Sequence, residues 1–266
     1  MAITLQAAGG KDVGVVRDLN EDEFFIKVVQ SSDEPPVGLF IVADGMGGTQ
    51  GGELASEWAV KTLRNELQDL FAPANLMQTR KLSPAEIAAL DGQPTTQVVD
   101  FAMQARVERA VQRANEVVLN YPRNRPDKAG DTGTTLTMAV VKESIAYIAN
   151  VGDSRTYLWS QGQLRPITED HSLVGSLVKI GQIQPDEIYA HPQRNLIYRS
   201  LGSKPVVEVD QFVQPSAAGR PTVALLRRPV GDGARPRHRR HPAGRRQPRR
   251  RLRPPDRGGQ RLRWGG

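Results

Sequence analysis

The run Leu39-Phe40-Ile41-Val42 leads within two residues to Asp44, and then to Gly45, Met46, Gly47 and Gly48. Four consecutive apolar residues read as a buried strand. An acid at the end of such a strand cannot share its burial, so it must sit where the sheet opens. A carboxylate there, beside glycines that let backbone carbonyls approach, offers hard oxygen ligands to Mg²⁺ or Mn²⁺. The same letters also spell an ordinary strand-to-helix turn, and this run alone does not separate the two readings.

The 266 residues suit one large domain or two small ones, and 38% hydrophobic content is enough for a core. The absence of cysteine excludes disulfides and thiolate metal sites and is compatible with a reducing, cytoplasmic setting. No basic start precedes an apolar stretch at Met1, so no signal peptide is expected. No apolar run approaches the roughly 20 residues that span a bilayer. The net charge of +7 is split unevenly. Residues 220–266 hold sixteen arginines and two aspartates, whereas residues 1–219 carry 20 basic and 27 acidic side chains. An acidic body is joined to a strongly basic tail.

Residues 23–29 and 37–42 read as strands, and 51–71 as a helix with Leu54, Trp58, Leu63, Leu67 and Leu70 on one side. Residues 72–96 read as a loop-rich insertion with a short helix capped at Ser83. A long helix over 96–121 carries the stripe Met103, Val107, Ala110, Ala114, Val117 and Tyr121, and Pro122 is expected to end it. Strands follow at 134–141, 145–151 and 156–159, with a turn at 160–162. Helical segments follow at 172–180 and 185–189, and a strand at 206–213. This order suggests α+β with antiparallel sheets. After Gly219 apolar periodicity stops, and disorder is expected.

Four polar clusters accompany Asp44. Arg17-Asp18-Leu19-Asn20-Glu21-Asp22 sets a guanidinium, suited to bidentate phosphate binding, four residues before the Glu21 carboxylate and ahead of a strand. A solvated charged turn would read the same. Asp131-Thr132-Gly133-Thr134-Thr135 opens a strand with hydroxyls and a glycine. Asn150-Val151-Gly152-Asp153-Ser154-Arg155 repeats the strand–glycine–aspartate logic of Asp44. Thr168-Glu169-Asp170-His171-Ser172 precedes a helix that Ser172 could simply cap.

In this order, RDLNED, VADGMGG, GTT, NVGDSR, TEDHSLVGSLVKIGQI, HPQRNLIYRSLG and VVEVD resemble the bacterial form of the metal-dependent type 2C protein phosphatases, over about residues 5–219. The resemblance implies an αββα sandwich, two antiparallel sheets flanked by helices, here truncated at the C-terminus. It implies two Mg²⁺ or Mn²⁺ ions, with a third held more weakly, and attack of a bridging water on phosphoserine or phosphothreonine. Carried over residue by residue, Asp44 would bridge the ions and Gly45 would give its carbonyl. Glu21 would hold metal-bound waters, Asp22 would support the site, Arg17 would clamp the substrate phosphate and Asp153 would serve the third ion. Residues 172–195 would form a flap. Met46 stands where some relatives carry a proposed general-acid histidine, which leaves water, His171 or His191 as proton donors. The implied partners are Ser/Thr-phosphorylated proteins, either kinase substrates or the kinases themselves.

The family's two further metal aspartates, in motifs like LLLCSDGLW and GGxDN, do not occur after Val213. Asp232 lies in VGDGARPR with no apolar strand in register before it. Codons permitted for residues 225–235, read one base later, translate as Cys-Ser-Asp-Gly-Leu-Trp-Glu-Met-Val-Arg. Codons for residues 263–266, read likewise across a stop, permit Gly-Gly-Glu-Asp-Asn. The expected organisation is therefore an incomplete catalytic domain over 1–219 and an out-of-frame Arg/Pro/Gly tail over 220–266. Two other functions compete. One is a pseudophosphatase that binds phosphoproteins. The other is a nonspecific nucleic-acid binder acting through the tail, although no evolved nucleic-acid partner is expected.

Overall fold

The computed structural model describes residues 4–13, 19–31, 35–47, 51–72, 95–124, 132–215 and 222–226. All belong to one compact unit running from Met1 to Asp232. The larger sheet contains β1 (Asp22–Val29), β2 (Val37–Met46), β4 (Leu136–Lys142), β5 (Ile145–Val151) and β8 (Asp210–Pro215), in the order β1-β2-β4-β5-β8. The two-residue β3 (Gly133–Thr134) pairs with the end of β2. The smaller sheet has the order β7-β6-β9, with β6 at Arg155–Ser160, β7 at Gln163–Pro166 and β9 at Thr222–Leu226. Every named pairing is antiparallel.

The period-two alternation of the central strands assigns each face of the larger sheet a partner. Leu39, Ile41 and Ala43 of β2, Leu136, Met138 and Val140 of β4, and Tyr147, Ala149 and Val151 of β5 form one apolar cluster with two helices. Those helices are α1 (Gly51–Glu66) and α2 (Thr95–Asn124). The opposite face buries Ala139, Ala146 and Ile148 against Phe40, Val141, Ile167 and Phe212. On that side Thr137 of β4 hydrogen-bonds Thr156 of β6 at 2.7 Å, so the smaller sheet lies against it. The described residues thus stack as helices, sheet and sheet. Each of the larger buried side chains contributes about 1.5–3 kcal/mol.

Several elements depart from their expected limits. β2 does not stop at Val42 but continues through Asp44 and Gly45 to Met46, because β1 and β3 extend its pairing. The turn comes at Gly47, whose φ is 148°. α1 buries Ala55, Ser56, Ala59, Val60 and Leu63, while Leu54 and Trp58 are only half-buried. The small residues Ala55, Ser56 and Ala59 are buried at its start, and Leu63, Leu67 and Leu70 are buried as expected. α2 runs past Pro122 to Asn124. Its buried stripe includes Val111, Asn115 and Val118, and Val117 and Tyr121 lie on its flank. A polar Asn115 in that stripe obscured the true face.

Asn115 is fully buried because it clamps a loop. Its Oδ1 accepts from the Gly202 amide at 2.8 Å, and its Nδ2 donates to the carbonyls of Lys204 at 2.9 Å and Pro205 at 3.2 Å. The strand expected at 206–213 begins only at Asp210. The strand structure also continues beyond the boundary expected at Gly219, because Thr222–Leu226 pairs with β6. Thr-Val-Ala-Leu-Leu is itself an apolar strand sequence, whatever the frame of the codons beneath it. The insertion at 73–94, with its helix expected near Ser83, lies outside the described residues.

Candidate metal centre

The register of β1 on β2 sets Asp22 directly opposite Asp44. Residues opposite one another in an antiparallel pair share a face, so both acids project to the same side. The β1 entry is held by Asn20, whose Oδ1 accepts from the Asp22 amide at 2.9 Å. Just before it, the Glu21 carbonyl accepts from the Gly45 amide at 3.1 Å. The Ser56 hydroxyl lies 2.7 Å from that same carbonyl and 2.9 Å from the carbonyl of Glu53, sharing one proton between them. The first turns of α1 are thereby locked onto the residue that carries Glu21.

Gly45 and Gly52 make this approach feasible. A Cβ on Gly45 would stand 2.0 Å from the Gly52 carbonyl oxygen. One on Gly52 would stand 2.6 Å from Glu21 Oε1 and 2.8 Å from the Met46 amide nitrogen. No side chain larger than hydrogen fits, so helix, strand and carboxylate meet at contact distance.

On the other side, Thr135 braces Asp44 twice. The Asp44 amide donates to Thr135 Oγ1 at 3.1 Å, and the Thr135 amide donates to the Asp44 carbonyl at 2.9 Å. Thr135 Oγ1 is also 2.7 Å from Ser154 Oγ, beside the buried Asp153. Gly152 holds the preceding turn at φ 103°, a left-handed conformation that favours glycine.

His171 grips that turn from outside. Its backbone amide donates to the Gly152 carbonyl at 3.0 Å, and the Gly152 amide donates to His171 Nδ1 at 3.0 Å. Nδ1 is therefore the accepting nitrogen, and Nε2 lies 3.0 Å from both Asp210 Oδ2 and Arg199 Nη1. Arg199 donates to Asp210 Oδ1 at 2.8 Å. Burial pushes the Asp210 carboxyl up, but His171 and Arg199 outweigh it and hold the group below the usual carboxylate range. Both ring nitrogens of His171 are thus engaged, and its side chain is buried. The His191 ring accepts locally from the Gln193 amide at 3.1 Å.

Arg155 forms a bidentate pair with Asp170, with both contacts at 2.6 Å. Burial pushes the guanidinium down, but Asp170 and the Tyr157 hydroxyl hold it well above its ordinary value. Asp170 leads into α3 (Leu173–Lys179), which Ser172 caps by accepting from the Gly175 amide at 3.2 Å. The segment expected as a flap is pinned at its base: Leu173 donates to Leu196, and Tyr198 to His171.

Of the residues singled out in the sequence, Glu21, Asp22, Asp44 and Gly45 thus come together, and Asp153 is tied to them through Ser154 and Thr135. Arg17 lies outside the described residues. Ser56, Gly52, Thr135, Ser154 and Arg199 were not assigned roles from sequence. A buried serine within an alanine stripe was the one available signal for Ser56. The donor set around Asp44 is entirely oxygen, which suits a hard divalent cation. Among the described residues, however, no three acidic or histidine side chains converge to hold an ion by themselves. The local residues match part of such a shell, which further carboxylates would have to complete.

A family model described as protein phosphatase 2C matches residues 15–182. The serine/threonine phosphatase stp of Listeria monocytogenes serotype 4b (strain F2365) is 36% identical over 204 residues, covering 77% of this chain and 69% of that protein. The crystal structure of the serine/threonine phosphatase Stp1 from Staphylococcus aureus superposes with a TM-score of 0.57 at 32% identity, covering 77% of this chain and 68% of that one. The catalytic domain of the serine/threonine protein phosphatase PstP, solved in complex with two manganese ions, gives a TM-score of 0.52 at 29% identity, covering 80% of this chain and 72% of that one.

Proposed function

This chain belongs to the protein phosphatase 2C family, and on that footing we propose that it derives from an enzyme hydrolysing phosphoserine and phosphothreonine in proteins, with half of its metal shell in place. The observation that carries the reading is the pairing of Asp22 opposite Asp44, with Glu21 packed against the close Gly45–Gly52 contact beside them. Asp44 and the Gly45 carbonyl would hold Mg²⁺ or Mn²⁺, with Glu21 orienting water and Asp22 supporting the site. Asp153 would serve a third ion. When bound, such ions supply Lewis acidity toward a phosphoryl oxygen and make water more acidic. Arg17 would clamp the substrate phosphate in bidentate fashion. The substrates would be products of Ser/Thr kinases, or the kinases themselves.

The remaining carboxylates would come from the reading frame one base beyond the present one, entered near Gly219. The codon compatibility of residues 225–235 with a Cys-Ser-Asp-Gly motif supports this. Residues 1–219 would then be the incomplete catalytic domain and 220–266 its displaced continuation. A single aspartate does not hold hard cations against water at useful affinity, because Mg²⁺ dehydrates reluctantly. The chain as it stands should therefore hydrolyse a phosphothreonine peptide barely above background with Mn²⁺. The frame-restored protein should regain metal-dependent turnover and lose it again with Asp44→Ala. Equal rates for the two proteins would show the present tail to be competent and the frame argument wrong.

A further inference from the structure

Thr135 occupies a position that neither the sequence motifs nor the metal reading explains. It is fully buried, and so is Ser154, at 0% and 1% exposure. Thr135 Oγ1 accepts the Asp44 amide proton at 3.1 Å. An oxygen used in that way still has its own proton to give, and Ser154 Oγ is 2.7 Å away. The end of β2 at Asp44 and the turn that carries Asp153 and Ser154 are thus joined by an unbroken path of two hydrogen bonds, from the Asp44 amide through Thr135 Oγ1 to Ser154 Oγ. The Thr135 side chain also packs on the Gly152 backbone, where a Cβ would stand 2.7 Å from Thr135 Cγ2.

We propose that Thr135 and Ser154 are positioning residues whose hydroxyl–hydroxyl bond couples the end of β2 at Asp44 to the turn at Asp153, so that neither segment can change its geometry without the other. Neither side chain is placed to touch substrate, and each acts through its neighbouring aspartate. In functional terms the link deepens the phosphatase reading and rests on it: groups bound at Asp44 and at Asp153 would bind with mutual dependence. The link itself requires no metal.

The test is amide hydrogen exchange on the full 266-residue chain without added metal, following peptides that contain Asp44–Met46 and Gly152–Ser154. Thr135→Val keeps the methyl group that packs on Gly152 and removes only the hydroxyl. It should speed exchange about tenfold in both peptides, as loss of a buried hydrogen bond does. Thr135→Ser should restore nearly the original rates. Ser154→Ala, which leaves the Asp44 amide its acceptor, should still loosen the Asp44 peptide. Peptides within the β4–β5 ladder should keep their protection in all three variants. Acceleration confined to the Asp44 peptide in Thr135→Val, or an unchanged Asp44 peptide in Ser154→Ala, would overturn the coupling. Uniform acceleration including β4–β5 would also overturn it, because it would mark general destabilisation. A chain without phosphatase activity answers this test equally well, so the failure of the catalytic reading and the failure of the link are read separately.

Discussion

A single methyl group measures how tightly the centre is assembled. At Gly45 the obstacle is the Gly52 carbonyl, which belongs to backbone and cannot rotate away. Gly45→Ala should therefore cost at least about 3 kcal/mol, the upper range for overpacking, read as a lower urea midpoint with an unchanged slope. A stability equal to that of the parent would mean that α1 does not approach β2 this closely. Asp210 offers a second test at this scale. Its carboxyl is held below its ordinary 3.8 in the folded chain. Its contribution is therefore complete above about pH 4 and is lost as pH falls through the lower native value. The group is two-thirds buried by side-chain exposure but remains near solvent, which makes the effect modest. Asp210→Asn should flatten the acid limb of a plot of melting temperature against pH, with little change in slope above pH 5. An unaltered acid limb would dissociate Asp210 from His171 and Arg199.

Between elements, the Arg155–Asp170 pair joins β6 to the entry of α3. Only 16% and 5% of the two side chains is exposed. Removing one partner leaves a buried charge uncompensated, which costs about 3–5 kcal/mol. Asp170→Asn should lower stability by that order in chemical denaturation. Arg155→Lys should recover only part of the loss caused by Arg155→Leu, since an ammonium cannot reproduce the planar fork. A full recovery with lysine would make the pair a simple charge contact. β9 belongs to this scale as well. Its pairing with β6 extends the smaller sheet to three strands, and an apolar pentapeptide was sufficient to form it despite the arginine-rich composition that follows. Composition averaged over a long window concealed a strand of five residues.

For the whole molecule, charge asymmetry dominates. Up to Leu226 the chain carries 21 basic and 27 acidic side chains, so it is acidic, although the complete chain has a pI near 9.9. Arginine-rich segments bind polyanions by releasing counterions, and this affinity falls steeply with salt. The complete chain should be retained on heparin and released by salt, while a chain ending at Leu226 should pass through unretained. Equal retention would place the basic surface on the folded unit instead. No helix among the described residues is long and apolar enough to cross a membrane.

The sequence by itself determined the order of the polar motifs and the identity of the central strands, and it singled out Asp44 as an acid beyond an apolar run. Strand alternation and acids at strand ends are local patterns, visible within a few residues. It did not reveal that β2 continues beyond Asp44, because that extension depends on β1 and β3 as pairing partners. It did not reveal Ser56, which reaches Glu21 across 35 positions, or Thr135, which reaches Asp44 across 91. These contacts are set by sheet register and by the docking of α1, which no local spacing encodes. The same holds for Asn115, a polar residue in a buried stripe whose partners lie in a loop 89 and 90 positions away. Local chemistry therefore named the carboxylates, and only the tertiary fold decided which backbone and hydroxyl groups hold them in place.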